Sequence, residues 1–253
     1  MLVKEKFIFF GLIGAVHFNV ALGIELKTAF QSKAPPRYFI EDDNAKGICV
    51  DIIADLNKRL EKNNIKIVSI NIDMPISRLK EYLKSGALDV FLCLSKNKDR
   101  EKIYQYSTPL YKMQYTFAKL TTNSFEFNGE NSLKGFAFGV LQGTNSAKRL
   151  GMVKGVTIFA LHSIDQGYKM LLHKRIEAMF YHNLGLGWNI KKNNEFKGKI
   201  ILVDNPFITK EQYMVFSQKV SKEVITKVEK ALSTMYIDGA VSVIMENYGV
   251  AKY

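Results

Sequence analysis

The chain has 253 residues, of which 47% are hydrophobic and 24% are charged. This composition excludes a disordered or collagen-like chain and supplies enough apolar residues for one sizeable core or two modest ones. Lysine and arginine number 36 against 24 acidic residues, a formal net charge of +12, and two cysteines are too few for a disulfide scaffold. The sequence has neither a fixed-period repeat nor a zinc-like spacing of cysteine and histidine, so we expect a basic globular protein without a metal or other cofactor.

The N-terminal residues have the pattern of a secretory signal peptide. Lys4 and Lys6 precede an apolar run over residues 7–16, which ends in small residues and is shorter than the ~20 apolar residues of a membrane-spanning helix. We expect residues 1–23 to be a signal peptide and the mature, periplasmic chain to begin near Ile24. A buried N-terminal helix and a retained anchor stay open as alternatives. Export makes nucleic acid an unsuitable partner for the positive charge, and the lysines are spread over predicted helix faces.

Alternating strand and helix patterns predict an α/β lobe in the first part of the mature chain. Strands are expected at residues 24–30, 65–70 and 88–94, and helices at residues 76–84 and after Asp51, which can serve as a helix cap. The third strand is almost entirely apolar, which is typical of a strand buried on both faces of a sheet.

The same pattern begins again further along the chain and predicts a second α/β lobe. Its strands are expected at residues 136–141, 156–161, 176–180 and 199–203, with a helix at 163–174. A final strand at 213–218 and helices at 222–235 and 241–246 are expected to return to the first lobe. The predicted lobes are residues 24–112 with 211–253 and residues 113–210.

Seven short segments, in order along the chain, resemble motifs of one protein family. They are Pro-Pro-Arg-Tyr-Phe at 35–39, Lys-Gly-Ile-Cys-Val-Asp-Ile at 46–52, Leu-Lys-Ser-Gly-Ala-Leu-Asp at 83–89, Ser-Lys-Asn-Lys-Asp-Arg at 95–100, Tyr-Ser-Thr-Pro-Leu-Tyr at 106–111, Gly-Val-Leu-Gln-Gly-Thr at 139–144 and Tyr-Ile-Asp-Gly at 236–239. The ordered set resembles the bacterial extracellular solute-binding proteins of family 3, which include periplasmic receptors for polar amino acids. The resemblance implies a two-lobed, type II periplasmic-binding-protein-like fold, with two hinge crossings and a ligand cleft between the lobes.

The resemblance also implies a function. A monomeric, exported binding protein would capture a small, anionic solute that bears a carboxylate, and would deliver it to the membrane permease of an ABC-type transporter. Two other readings stay open: a periplasmic enzyme on the same fold, similar to a dehydratase, and a ligand-sensing partner of a membrane signalling protein.

The loop after the third strand contains the main candidate binding residues. Arg100 lies beyond the carboxyl end of a buried strand, which is where ligands gather in α/β sheets, and its planar guanidinium matches a carboxylate. The resemblance assigns the carboxylate of the ligand to Arg100 and a binding role to Ser95 and Asn97. Alternatively, Arg100 is a surface residue that pairs with Asp99 or Glu101.

Further candidates come from the second lobe and from the aromatic residues. The resemblance makes Thr144 and Asn145 ligand contacts, although Asn145 also stands at a helix start where an anion or a plain cap fits. His182 occupies the position where the amino-acid receptors have an aspartate for the α-amino group. An imidazole cannot replace that carboxylate, so we expect a ligand other than an ordinary α-amino acid. Tyr38 and Tyr181 are candidates for stacking on a flat solute.

The two cysteines both fall in the predicted first lobe. Cys49 precedes the first predicted helix by two residues, and Cys93 lies in the third strand. An exported protein can contain a disulfide, but two buried thiols fit the sequence equally well, so both alternatives stay open here.

Overall fold

Alternating strands and helices form the α/β architecture that the sequence predicts. The computed structural model describes residues 23–32 and 34–250, so residues 1–22 of the predicted signal peptide lie outside the described residues. The strands are β1 (Ile24–Thr28), β2 (Phe39–Glu41), β3 (Asn44–Lys46), β4 (Ile65–Ser69), β5 (Val90–Ser95), β6 (Gln105–Leu120), β7 (Ala137–Leu141), β8 (Thr157–Leu161), β9 (Ala178–His182), β10 (Ile200–Leu202) and β11 (Ile208–Phe216). The helices are α1 (Ile48–Leu60), α2 (Ile76–Ser85), α3 (Lys98–Glu101), α4 (Asn145–Leu150), α5 (Ile164–Leu172), α6 (Asn183–Lys192), α7 (Lys222–Ile237) and α8 (Ala240–Asn247). Within those described ranges, no helix has the length and apolarity needed to cross a membrane.

One mixed sheet extends through both lobes. Its strand order is β5-β11-β6-β9-β7-β8, and β10 pairs with β6 beside this path. The pairs β7–β8 and β7–β9 are parallel, whereas β6 and β11 are antiparallel to all their neighbours. A parallel pair, β1 with β4, and a small antiparallel pair, β2 with β3, complete the strands of the described residues. Parallel strands joined by helices make both lobes α/β units.

The strands β6 and β11 carry the chain between the lobes. β11 pairs with β6 from Ile208 to Phe216, and its end from Gln212 onward also pairs with β5 of the first lobe. From Tyr115 onward β6 pairs instead with β9 and then with β10, which belong to the second lobe. The two chain crossings between the lobes are therefore neighbouring antiparallel strands, as expected for a two-lobed fold with two hinge crossings.

The buried hydrophobic residues pack into separate clusters, and the lobe boundaries, residues 24–112 with 211–253 and residues 113–210, stay a prediction. The first core packs β1, β4 and β5 against α1, α2 and α7, while a group of phenylalanine rings around Phe117 fills part of the second. Met113 of β6 and Leu184 of α6 are exceptions, because both are buried in the first core although both lie within residues 113–210. The helix α6 thus forms a contact between the lobes.

Two long elements were not expected from the sequence, β6 and α6. β6 contains Pro109, which pairs with Tyr213 at a point where the register of β6 against β11 shifts, and a proline inside a strand argues against predicting one. α6 contains Gly185 and Gly187, which weaken helix propensity. A Cβ atom at Gly187 would lie 2.5 Å from the carbonyl oxygen of Gly249, so the glycine allows the helix to approach the C-terminal segment closely.

The first helix begins earlier than predicted, at Ile48 rather than after Asp51. Backbone groups replace the expected side-chain cap: Ile48 N–H donates to the carbonyl of Pro36 (2.9 Å), and Cys49 N–H donates to the carbonyl of Arg37 (3.2 Å). These bonds satisfy N–H groups that have no partner inside a helix. They also fix the loop before β2 against the start of α1.

A disulfide joins Cys49 and Cys93, which decides between the two alternatives left by the sequence. The bridge links α1 to β5 within the first lobe, and the two Cα atoms are 6.5 Å apart. The disulfide therefore connects the start of α1, which is hydrogen-bonded to residues 36 and 37, to β5, which ends at Ser95.

We expect Gly47→Ala to destabilise the protein by about 1–3 kcal/mol, because the site combines a positive φ with a close backbone contact. Gly47 has φ 128°, and a Cβ atom there would lie 2.4 Å from the carbonyl oxygen of Arg37. Thermal and chemical unfolding measure the loss. Gly129→Ala is the matched control, since Gly129 has φ 91° with open space around it. An equal loss in both variants would contradict a role for the contact.

Candidate functional site

A small cavity, about 230 Å³ in volume, lies between the two lobes. The carboxyl ends of β5 and β9 and the loop after β7 meet there, which is where ligands bind in parallel α/β sheets. The predicted site residues that line this cavity are Ser95, Arg100, Thr144, Asn145, Tyr181 and His182. The structure therefore brings together six of the eight residues predicted from the sequence.

Arg100 is held at the edge of the cavity by hydrogen bonds to Ser95. Its Nη1 donates to the Ser95 carbonyl oxygen (2.7 Å) and to the Ser95 hydroxyl oxygen (3.2 Å). The expected alternative, an ion pair with Asp99 or Glu101, does not occur, and Glu101 lies 3.9 Å from Lys96 instead. Within the described residues, no carboxylate neutralises Arg100. The guanidinium is thus fixed in place and retains donors for an anion.

Asn97 and Tyr38 do not line the cavity. The Asn97 side chain caps α3 and accepts a hydrogen bond from the backbone N–H of Arg100 (2.9 Å), so it shapes the loop that carries the arginine. The Tyr38 ring is buried between Phe30 and Phe91 and its hydroxyl donates to a backbone carbonyl of β5. Tyr38 is therefore a core residue, and its neighbour Arg37 lines the cavity in its place.

The second lobe contributes the start of α4. The Thr144 hydroxyl donates to the carbonyl of Leu141 (2.7 Å) and accepts from the N–H of Ala147, so it is a helix cap as well as a lining residue. Asn145 is exposed at the rim. Ser146 also lines the cavity, and its buried hydroxyl has no hydrogen-bond partner in the part of the chain that the structure describes. Polar groups of this wall are therefore available to a solute.

His182 lines the cavity as a neutral imidazole. Its Nδ1 accepts a hydrogen bond from the N–H of Gly185 (3.0 Å), which caps α6 and places the ring proton on Nε2. Burial, reinforced by the positive charge of Arg37, lowers the pKa of His182 to about 3. His182 therefore carries no charge near neutral pH and can neither pair with an ammonium group nor attract an anion by charge.

Two tyrosine rings stand beside this histidine. The Tyr181 ring lies 4.0 Å from the His182 ring between centroids, and the Tyr115 ring contacts the histidine edge-on at 6.3 Å. Burial raises the pKa of both phenols, so both remain neutral hydrogen-bonding groups. The wall formed by β6 and β9 thus offers aromatic faces and hydroxyls without charge.

Sequence reasoning missed several lining residues, and Arg37 is the most informative of them. The missed residues are Gln31, Arg37, Ile76, Cys93, Leu94, Met113, Tyr115, Ser146 and Gln212. Most carry no pattern that distinguishes them from ordinary strand or loop residues. Arg37 does carry a signal, because it is a single charge in an otherwise apolar segment that follows two prolines.

The charge of the lining is positive. Both Arg37 and Arg100 line the cavity, whereas the described lining contains neither aspartate nor glutamate. Neither arginine forms an ion pair with any described residue. Nor do the described residues include a cluster of side chains that could hold a metal ion. The described lining therefore carries positive charge that no side chain of the lining neutralises.

The chain matches the model of one protein family. The model of the bacterial extracellular solute-binding proteins, family 3, matches residues 26–251. This chain belongs to that family. Binding of a small solute is thus its general role. No curated protein matches the chain at a significant level of sequence similarity.

Solved structures of solute-binding proteins share the fold. The L-cystine solute receptor of Neisseria gonorrhoeae in the unliganded open conformation has a TM-score of 0.72 at 15% identity, covering 89% of this chain and 92% of that one. The second substrate-binding domain of GlnP from Lactococcus lactis, also open, has a TM-score of 0.70 at 19% identity, with 90% and 97% covered. A Bacillus subtilis protein titled "probable amino-acid ABC transporter extracellular-binding protein" has a TM-score of 0.72 at 19% identity, with 89% and 97% covered. These likenesses confirm the two-lobed, type II periplasmic-binding-protein-like fold.

We expect acidification from pH 7 to pH 5 to lower the free energy of unfolding by about 2 kcal/mol through His182. The ordinary pKa of 6.5 is lowered to about 3 in the folded protein. The unfolded chain therefore binds a proton in this range while the folded one does not, and stability is lost as the pH falls. Chemical denaturation at several pH values measures the slope. His182→Asn keeps a capping acceptor and removes the titrating group, so the slope should become shallower; an unchanged slope would contradict the assignment.

Proposed function

We propose that this solute-binding protein captures a small anionic solute bearing a carboxylate and delivers it to the permease of an ABC-type transporter. The observation that carries the proposal is the guanidinium of Arg100, fixed by Ser95 at the cavity and left without a carboxylate partner among the described residues. A guanidinium in this state pairs well with a carboxylate through two charge-assisted hydrogen bonds. A monomer is sufficient, since both walls of the cavity come from one chain.

The proposed mechanism is closure of the two lobes around the solute. Arg100 and Ser95 bind it from the first lobe, and Thr144, Asn145 and His182 face it from the second. A solute that contacts both walls stabilises the closed state relative to the open one, and the strands β6 and β11 are the connections about which the lobes rotate. The permease then recognises the closed form.

Export to the periplasm forms part of the proposal. The family is one of extracellular proteins, and the sequence pattern of residues 1–23 supports a signal peptide. The disulfide between Cys49 and Cys93 is favoured in an oxidising compartment.

Of the two other readings, a dehydratase-like enzyme requires a general acid at the bound substrate. Within the described residues, the cavity lining contains neither an aspartate nor a glutamate that could serve as this acid. We therefore propose binding without turnover. A sensor partner in place of a permease remains compatible with the same closure of the lobes, and the two are distinguished by which membrane protein binds the closed form.

We expect Arg100→Ala to abolish the thermal stabilisation produced by carboxylate solutes. The wild-type protein should gain about 2.7 kcal/mol at a solute concentration 100 times the Kd, because the solute binds only the folded state. A thermal-shift screen of monocarboxylates, aromatic carboxylates and polar amino acids measures the effect. Arg78→Ala is the matched control, since Arg78 is an exposed arginine on α2 outside the cavity. Undiminished stabilisation of Arg100→Ala would rule out the proposed role.

We expect the exported protein to begin near Ile24, because signal peptidase cuts after the small residues that end the leader. Mass spectrometry of the protein from a periplasmic extract measures the N-terminus. Recovery of a chain that still begins at Met1 from that fraction would refute cleavage.

A further inference from the structure

The cavity contains a second guanidinium, that of Arg37, whose role the family resemblance does not supply. Arg37 lies in the loop between β1 and β2 and lines the same cavity as Arg100. No ion pair connects it to a carboxylate in the described part of the chain. Two unneutralised cations in a space of about 230 Å³ are unfavourable in an empty site, because like charges at short range in a partly desolvated pocket repel one another.

The backbone holds Arg37 in place. Its carbonyl accepts from Cys49 N–H, and its N–H donates to the carbonyl of Ala34 (2.9 Å). On the side chain, Nη1 donates to the carbonyl of Cys93 (3.3 Å). Cys93 has φ 67°, an uncommon conformation for a residue other than glycine, beside a register shift between β5 and β11. The arginine is therefore positioned by the fold.

One donor of Arg37 lacks an acceptor. Its Nε is buried and has no hydrogen-bond partner among the residues that the structure describes. A buried donor on a charged group is costly when unpaired, and native structures rarely leave one in that state without a functional reason. A bound anion would supply the missing acceptor.

Both arginines donate to carbonyls of β5, Arg37 to Cys93 and Arg100 to Ser95, but they influence different neighbouring groups. Arg100 is bonded to Ser95 at the end of β5, whereas the charge of Arg37 lowers the pKa of His182 and opposes the rise in the pKa of Tyr115 and Tyr181. The charge of Arg37 thus acts on groups of the second lobe across the cavity that both arginines line. An anion bound to Arg100 alone would leave the positive charge near β9 uncompensated.

Resting on the proposed function, we propose that the solute carries two carboxylates and no amine, with one carboxylate on Arg100 and the other on Arg37. The remaining lining side chains are neutral, so they can accept an uncharged middle segment but cannot balance an ammonium group. The small volume favours a short, open-chain diacid. Arg37 is then the residue that selects a dianion over a monoanion.

Calorimetry with matched probes tests this assignment. Succinate is compared with butyrate and glutarate with valerate, so that each dicarboxylate is paired with a monocarboxylate of equal chain length. L-glutamate adds an amine to glutarate, and inorganic phosphate is a compact dianion. For the wild-type protein we expect one of the two dicarboxylates to bind at least about tenfold more tightly than the monocarboxylate of equal chain length, and glutamate to bind more weakly than glutarate.

Variants of Arg37 locate the effect. Arg37→Gln should weaken dicarboxylate binding about tenfold or more while changing monocarboxylate binding by less than about threefold, and Arg37→Lys should retain part of the preference. Arg149→Gln is the matched control, because Arg149 also influences Tyr115 but does not line the cavity. Circular dichroism and thermal unfolding without solute identify any variant that fails to fold. If Arg37→Gln fails to fold, the dicarboxylate preference of Arg37→Lys decides the assignment.

The outcomes separate this inference from the proposed function. Equal binding of the paired probes, tighter binding of phosphate or glutamate, or a dicarboxylate preference that survives loss of Arg37 would overturn the dianion assignment and leave Arg100 as a carboxylate site. Binding of none of the carboxylates to the wild-type protein would overturn both.

Discussion

The antiparallel ladder between β6 and β11 is the constraint on which the arrangement of both lobes depends. β6 pairs with strands of both lobes along its 16 residues, and β11 joins it to β5. This ladder sets the distance between the carboxyl end of β5, where Ser95 holds Arg100, and that of β9, where His182 lies. Two neighbouring antiparallel crossings resist shearing but allow bending, so the walls of the cavity can approach one another without losing the strand register.

The electrostatics of the cavity follow from which groups are buried without partners. Desolvation removes the charge of His182 and keeps the tyrosines protonated, because a low-dielectric environment disfavours charged forms. A guanidinium cannot respond in this way, since it stays protonated throughout the accessible pH range. Arg37 and Arg100 are therefore the remaining charges in the described lining.

The sequence predicted the fold better than it predicted the site. Helical and strand periodicity located α2, β4 and β5 closely, because their apolar faces are buried in one core. The long strand β6 and the glycine-containing α6 were missed, since their stability comes from pairing with distant segments rather than from local pattern. Within the site, the ordered motifs pointed to Arg100 and Ser95, and both line the cavity. Tyr38 was also expected at the ligand, but its neighbour Arg37 lines the cavity instead. Arg37 ends a turn and Tyr38 follows it, and the sequence does not reveal which of the two side chains points to the cavity.

Both cavity arginines are anchored by neutral oxygens, Ser95 for Arg100 and the carbonyl of Cys93 for Arg37. Such anchors restrict movement without cancelling charge, unlike the salt bridges found elsewhere on this molecule. The positively charged cavity should consequently attract small anions from the medium. Under the proposed function, citrate, sulfate or chloride in a purification buffer will compete with the solute, so apparent affinities will depend on the choice of buffer anion as well as on ionic strength.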